Sequence, residues 1–233
     1  MHLFIGTSGY SYPKWKGRFY PEKLPQKQML GYYAERFGAV EINNTFYKMP
    51  VASDVTSWTE QVPKSFRFAL KAPQTITHFK RLKDAEEPTA QFFHIVAALK
   101  ARLGPVLFGL PPNFKRDLPR LRAFLHFIPK KQKVAFEFRH PSWFDEEVYD
   151  CLRKHHIALC IAHTEEFPLP EMISTAAFGY VRLRCESYSA KDLAKWVERI
   201  QTQPWQETYV FFKHEDTGTG PKFAAQFHEL AGN

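Results

Sequence analysis

Six charged residues lie at the ends of short apolar runs that are typical of buried strands: Glu41, Lys71, Glu137, Arg139, Arg182 and Arg184. Two carboxylates in unlike surroundings can divide the roles of general acid and general base, and a neighbouring lysine can tune one of them. Arginine forks bind phosphate or carboxylate through paired hydrogen bonds. The residue types indicate acid/base chemistry on a small anionic or sugar-like substrate, with Glu41, Lys71 and Glu137 as the catalytic candidates and the arginines as binding residues.

Side-chain alternation along a strand predicts which way these charges point. In the run VAFEFR the large apolar residues share one parity, so Ala135, Glu137 and Arg139 face the other way, into the interior. The same alternation places further polar residues inside: Glu41, Asn43, Lys71, Arg182 and Arg184. Four cations against two carboxylates predict a preference for phosphate, carboxylate or a phosphosugar. The structural alternative is that the charges neutralise one another, for example Glu41 with Lys71.

Two loops add candidate binding residues. The loop after the first strand combines glycines, hydroxyls and aromatic rings that could line a pocket: Thr7, Ser8, Gly9, Tyr10 and Trp15. It is neither a Walker loop nor a nucleophile elbow. The loop after the fifth strand contains His140 and Trp143. His140 is a candidate general acid or base, or else an ordinary polar surface residue.

A divalent metal is a further alternative for the same region. His163 ends the sixth strand, and His214, Glu215 and Asp216 follow the eighth, so they could join Glu137 as nitrogen and oxygen ligands. No tightly spaced motif such as HExxH supports this set. The sequence therefore leaves the cofactor open.

Eight strand-like runs must position these residues, and they span 3–6, 39–43, 66–71, 106–110, 133–139, 157–162, 180–184 and 208–213. Amphipathic stretches such as LPQKQMLGYYAERFG, EPTAQFFHIVAALKARLG, DEEVYDCLRKHH and SAKDLAKWVERI separate them, and the sixth unit is the weakest. This alternation without a linker predicts one closed (β/α)8 TIM-type barrel over residues 1–233, with the site at the carboxyl ends of the strands. The alternative is an open Rossmann-like sheet, against which the missing Gly-rich turn counts.

Composition limits the function classes. The chain is 44% hydrophobic with 22 Phe, which predicts a full globular core. Three cysteines without a CxxC pair indicate a reducing compartment, and the strand-like MHLFIG start with no long apolar run leads us to expect a cytoplasmic protein without membrane segments. A net charge of +8, concentrated in the first hundred residues, keeps a nucleic-acid or nucleotide-binding barrel without catalysis as the second hypothesis. A barrel that has lost its activity is the third.

Six motifs in order, GTSGYSYPKWKGRFYP, EINNTFYKMP, FRFALKAPQTITH, LPPNF, FEFRHPSWF and YVFFKHED, resemble the YecE-like family, also called domain of unknown function 72. The resemblance covers nearly the whole chain. It implies a TIM-type barrel with no assigned reaction, and it marks family-typical positions that include Thr45, Tyr47 and His78 besides residues named above.

Three departures from the family pattern stand out. Gly109 replaces an expected Gln, Arg184 and Cys185 replace an expected His-Gly pair, and the run Lys213-His214-Glu215 replaces paired Asn. Arg184 in place of histidine predicts a more cationic pocket than in related proteins, and hence a more anionic ligand.

Overall fold

The computed structural model describes residues 1–166, 171–213 and 218–232. Eight parallel strands form one sheet: β1 His2–Thr7, β2 Ala39–Ile42, β3 Arg67–Lys71, β4 Leu103–Gly109, β5 Val134–Glu137, β6 Ala158–His163, β7 Phe178–Leu183 and β8 Glu207–Phe212. Each strand from β2 to β7 pairs in parallel with the next, and β8 pairs in parallel with β1. The predicted (β/α)8 barrel is confirmed, and an open doubly wound sheet is ruled out by this order.

Helices separate the strands on the outside: α1 Met29–Ala34, α2 Asn44–Tyr47, α3 Ala52–Glu60, α4 Glu86–Val96, α5 Leu118–Leu125, α6 Glu146–Lys154, α7 Ala190–Gln201 and α8 Thr219–Leu230. The four helical stretches singled out from the sequence each match one of these helices to within a residue or contain it. No helix occurs between β6 and β7 in the described residues, in agreement with the weak sixth unit. The connection after β3 contains a π-helical turn, Thr75–Phe79.

The barrel closes between β1 and β2 with little direct pairing. A single bridge, between Ser8 and Glu41, connects the two strands, so the ring of paired strands is nearly but not fully closed. Beside it the hydroxyl of Tyr33 accepts a hydrogen bond from the Thr7 backbone N–H at 2.7 Å and donates one to the Ala39 carbonyl at 3.1 Å. The two strands approach closely because Gly6 has no side chain: a Cβ there would lie 1.9 Å from the Ala39 oxygen. A tyrosine hydroxyl thus replaces part of the missing strand ladder.

Two hydrophobic clusters follow from the alternation along the strands. The larger lies between the sheet and the helices, and a smaller one fills the barrel with residues such as Ala135, Tyr180 and Tyr209. The large residues Phe136 and Phe108 stack in the outer cluster, as the parity of β5 predicts. No helix among the described residues is long and apolar enough to cross a membrane.

A candidate active site at the barrel mouth

The carboxyl ends of the strands meet around one buried guanidinium. Arg182 on β7 donates from Nη1 to Glu137 Oε2 at 2.7 Å and from Nη2 to Glu41 Oε1 at 2.8 Å. All three side chains are almost completely buried. We call Glu41, Arg182 and Glu137 the inner cluster. The two glutamates lie close together, because one arginine binds both. The interior charges therefore partly neutralise one another, but the ion pair suggested between Glu41 and Lys71 does not form, because Arg182 binds Glu41 instead.

Glu41 receives two further hydrogen bonds. Ser8 donates from its hydroxyl to Oε1 at 2.8 Å, and Tyr180 donates to Oε2 at 2.8 Å. Ser8 reaches Glu41 because the bridge between β1 and β2 pairs these two residues. Our sequence reasoning missed Tyr180, although it precedes Arg182 by two positions on β7 and therefore shares its inward parity.

Both carboxylates are held in the ionised form. Burial by itself raises the pKa of Glu137, but Arg182, followed by Arg139, outweighs burial and lowers that pKa to about 2. For Glu41, burial again raises the pKa, but Arg182 and the hydrogen bonds from Ser8 and Tyr180 outweigh burial and lower the pKa. The charged guanidinium is favoured in turn: Glu137 and Glu41 raise the pKa of Arg182 against the opposing effect of burial. Three mutually stabilised charges carry one net negative charge.

Three more cations surround the inner cluster, and we call Lys71, Arg139 and Arg184 the outer cations. Arg139 follows β5, two residues beyond its last residue, and its Nη2 lies 3.5 Å from Glu137 Oε1. Arg184 follows β7; Arg182, with burial, lowers its pKa. Within the described residues, neither Lys71 nor Arg184 forms an ion pair with a carboxylate. The mouth therefore combines the net negative charge of the inner cluster with three positive charges.

Lys71 ends β3 and lies over an aromatic ring. Its ammonium is 4.0 Å from the centroid of Phe46. Burial, with the neighbouring Arg182 charge, lowers the pKa of Lys71 to about 8. His78, on the π-helical turn of the same connection, packs edge-on against Phe46, and burial and Lys71 lower its pKa. Proton exchange near neutral pH is therefore a property of Lys71 more than of the glutamates.

Some predicted binding residues support the backbone of the mouth. Thr45 donates to the Lys71 carbonyl at 2.6 Å, and Thr7 donates to the Gly9 carbonyl at 2.7 Å. Gly9 has a φ of +92°, and a Cβ there would collide with the ring of Tyr12. His140 Nδ1 accepts from the Ser142 backbone N–H at 3.2 Å, which orders the turn before α6.

Both predicted tryptophans lie beneath the loops rather than on a pocket wall. Trp15 and Trp143 have no exposed surface, and Trp143 donates its ring N–H to the Phe114 carbonyl at 2.7 Å. Trp143 also stacks on Phe138. Their size and burial explain this placement, since a large aromatic ring contributes most to stability when it is covered. As long as these loops keep this conformation, neither ring can contact a ligand.

Three other predicted residues lie nearer to the surface. Asn43 and Tyr10 are half-buried, and the Tyr10 carbonyl accepts from the Tyr20 hydroxyl at 2.6 Å. Tyr47 is 73% exposed on α2. Phe79, which the sequence reasoning did not select, is 72% exposed at the end of the π-helical turn. Two accessible aromatic rings thus occur on the connections that follow β2 and β3.

The suggested metal ligands are not brought together in the part of the chain that is described. His163 Nδ1 lies 3.0 Å from the Tyr188 hydroxyl and 3.5 Å from the sulfur of Cys185, whereas Glu137 binds Arg182. Within residues 1–166, 171–213 and 218–232 no group of three His, Cys, Asp or Glu side chains could hold a metal ion. His214, Glu215 and Asp216 lie outside the described residues.

Comparison with known proteins places the chain among uncharacterised barrels. The sequence profile described as "Protein of unknown function DUF72" matches residues 4–233. The UPF0759 protein YecE of Escherichia coli K12 is 34% identical, over an alignment that covers 61% of this chain and 50% of YecE. The UPF0759 protein YunF of Bacillus subtilis is 29% identical, over an alignment that covers 64% of this chain and 54% of YunF. The chain thus spans about half the length of these curated relatives.

Solved structures of DUF72 family proteins are similar to this chain over its whole length. The crystal structure of a DUF72 family protein from Thermotoga maritima superposes with a TM-score of 0.87 at 30% identity, covering 100% of both chains. A DUF72 family protein from Enterococcus faecalis superposes with a TM-score of 0.81 at 20% identity, covering 100% of this chain and 98% of its own. The second similarity concerns the fold alone.

Proposed function

Since this chain belongs to the DUF72 family, whose function is unknown, we propose from its own charges that it is an enzyme acting on a small anionic, sugar-like or phosphorylated substrate at the barrel mouth. The observation that supports this proposal is the charge balance. Arg182 is bound by both carboxylates, and three outer cations remain around them. A cationic site of reduced dielectric favours a ligand of opposite charge.

Arg139 is the best placed of the outer cations for a ligand. Its side chain is 36% exposed, and its contact with Glu137 is long at 3.5 Å. A guanidinium in this position still has donors for a phosphate or carboxylate group. Arg182 has no such role in this proposal, because both of its terminal nitrogens are bound within the inner cluster.

Proton transfer divides between two kinds of group. Glu41 and Glu137 are ionised at neutral pH, so they serve as bases or as electrostatic partners rather than as acids. Lys71, with a pKa of about 8, is the group that can donate and accept a proton near neutral pH. Hydrolysis of a glycoside or phosphate ester and isomerisation of a sugar are the reaction types compatible with this arrangement.

Thermal unfolding with inorganic phosphate tests the anion site. A ligand that binds only the folded state stabilises it by about 2.7 kcal/mol at a hundredfold excess over its dissociation constant. We expect phosphate to raise the melting temperature of the wild-type protein and to have little effect on Arg139→Met, which keeps much of the stem volume without the fork.

Arg120→Met is the matched control, because Arg120 has a similar exposure of 34% but lies on α5, paired with Asp117. Its response to phosphate should equal that of the wild type. An equal response in Arg139→Met and wild type, or none in either, would remove the reason for the proposal.

Nucleotide or nucleic-acid binding is the second candidate, favoured by the exposed rings of Tyr47 and Phe79 on the connections that follow β2 and β3. Exposed aromatic rings stack on bases, and cations contact phosphates. Binding of a single-stranded oligonucleotide would weaken steeply with salt, whereas a buried small-anion site responds weakly. Retention of oligonucleotide binding in Tyr47→Ala would count against this candidate.

A further inference from the structure

We propose that Lys71 is a nucleophilic amine that forms an imine with the carbonyl carbon of a small aldehyde or ketone carrying a phosphate or carboxylate group. This inference rests on the proposed anion site and adds to it a substrate class and a covalent step. It concerns the one of the three outer cations whose nitrogen can become a nucleophile, since arginine does not lose its proton in proteins.

The geometry holds the amine in place without a neutralising partner. Thr45 fixes the backbone at Lys71 by donating to its carbonyl at 2.6 Å, and the ammonium packs 4.0 Å from the Phe46 centroid. The carboxylates of the inner cluster bind Arg182 instead. Among the described residues, none forms an ion pair with the Lys71 amine. A lysine held in an ion pair would have to break that pair before it could react, and Lys71 has none to break among these residues.

The charges around Lys71 favour its neutral form, which is the nucleophile. After burial, Arg182 lowers its pKa most, and Arg139 acts in the same direction, whereas Glu137 and Glu41 oppose them; the result is about 8. His78 also lies near Lys71. An ordinary lysine, with a pKa of about 10.4, is neutral in roughly one molecule in a thousand at pH 7.4, against roughly one in five for a pKa of 8.

Gly109 lies next to the end of the Lys71 side chain. It ends β4 and pairs with Glu137 on β5. A Cβ at this position would lie 3.3 Å from Glu137 Oε2 and 3.8 Å from Lys71 Cε. Because glycine has no side chain, β4 places no side-chain atom at this position beside the end of the lysine and the carboxylate.

The outer arginines determine which carbonyl compound fits. Arg139 and Arg184 are suited to a phosphate or carboxylate, so the ligand must carry that group together with the electrophilic carbon. A neutral ketone lacks the charge that would hold it. A small ketose phosphate or a 2-oxo acid satisfies both requirements.

The step conserves atoms and electrons. The lone pair of Nζ forms a bond to the carbonyl carbon while the C=O π pair moves to oxygen, which takes a proton from water. The nitrogen returns one proton to the water, which gives a carbinolamine. Its hydroxyl takes a second proton from water and leaves as a water molecule while the nitrogen lone pair forms the C=N bond, and the protonated imine then gives its remaining N–H proton back. Amine and carbonyl become imine and one water molecule, with no oxidant or reductant.

Reductive trapping tests the proposal on the full chain. The protein is incubated with dihydroxyacetone phosphate or pyruvate and cyanoborohydride, and the labelled lysines are located by peptide mass spectrometry. We expect Lys71 to be labelled at least about tenfold faster than Lys48, which is exposed after α2. Neutral dihydroxyacetone should show a much smaller preference, and added phosphate should slow the labelling of Lys71.

Lys71→Arg should remove this label and keep the phosphate-dependent rise in melting temperature, which also shows that the variant folds. Equal labelling of Lys48 and Lys71 would overturn the imine. Stabilisation of the wild type by phosphate without a Lys71 adduct would overturn it while the anion site stands. Rapid labelling of Lys71 by charged and neutral ketones alike, without stabilisation by phosphate, would support the nucleophile and overturn the anion site.

Discussion

The inner cluster and the outer cations lie at the same end of the barrel, yet they differ in how their charges are paired. In the inner cluster, Arg182 is almost completely buried and each of its terminal nitrogens meets a carboxylate. Around it, Lys71 and Arg184 face like charges, and the pKa of each is lowered. The charges of the inner cluster are paired with one another, although Arg182 Nε has no hydrogen-bond partner within the described residues. Among the outer cations, Arg139 alone has a carboxylate within 4 Å in the described residues.

This difference separates stability from function. Burying ions costs several kcal/mol unless each has a partner, so a satisfied cluster can be kept for the fold alone. Like charges held together without partners lower stability and are retained where a ligand supplies the missing charge. We therefore assign a positioning role to Arg182 and a ligand-contacting role to the outer cations. Substitutions in the inner cluster should lower stability, whereas substitutions of the unpaired outer cations should change it little or raise it.

The largest effect is expected for Arg182→Met. This change leaves Glu41 and Glu137 buried and facing each other without their common partner, which costs about 3–5 kcal/mol of unfolding free energy. In a chain of this size that is a fall on the order of 10 °C in melting temperature. Urea denaturation measures the difference.

Arg184→Met is the matched control, because Arg184 follows the same strand but, within the described residues, contacts no carboxylate. It should lose less than about 0.5 kcal/mol. A loss of similar size in both variants would erase the distinction between the two groups.

The second effect concerns acid. The pKa of Glu137 is about 2 in the folded protein, against about 4.3 when the chain is unfolded. Because the folded value is the lower one, the carboxylate stabilises the fold fully above pH 4.3, and this contribution of about 3 kcal/mol is lost as the pH falls toward 2. Denaturation between pH 6 and pH 2 should show a steep acid limb in the wild type.

Glu137→Gln should be less stable than the wild type at neutral pH and should approach it at pH 2, because glutamine does not titrate. This variant should still lose part of its stability in acid, since the pKa of Glu41 is also lowered. Parallel curves for the two proteins would mean that Glu137 is not held ionised by Arg182.

The sequence was sufficient for the architecture, because each of the eight predicted strands matches an observed strand to within a few residues. Alternation also indicated that Glu41, Glu137 and Arg182 share the barrel interior. The strand ends were less certain: β5 ends at Glu137 rather than at Arg139, and β7 ends at Leu183 rather than at Arg184.

The pairing inside the site could not be read from the sequence. Parity predicts that six charged residues face the interior but contains no information on which strand faces which across the barrel. The alternative of mutual neutralisation named Glu41 with Lys71 on neighbouring strands as its example, but Glu41 pairs across the interior with Arg182, from β2 to β7. Tyr180 was missed because its hydroxyl carries no charge, although its parity matched. The burial of Trp15 and Trp143 depends on loop packing, for which periodicity gives no signal.

The smallest effect has the opposite sign, and it tests the outer cations directly. The pKa of Lys71 is about 8 when the protein is folded and about 10.4 when it is unfolded. Between these values the unfolded chain binds more protons, so the stability of the wild type should rise with pH across this window, and below pH 8 the protein carries the full cost of the charged lysine. Lys71→Met removes that cost. We expect it to raise the unfolding free energy by about 1 kcal/mol at pH 7, a value kept small because the half-buried side chain is screened by solvent, and to show no gain above about pH 10.5.

Lys48→Met, at an exposed position, should change stability by less than about 0.5 kcal/mol. Destabilisation by Lys71→Met at pH 7 would show that the lysine is a structural partner of the inner cluster, and the division between satisfied and unsatisfied charges would have to be redrawn around it.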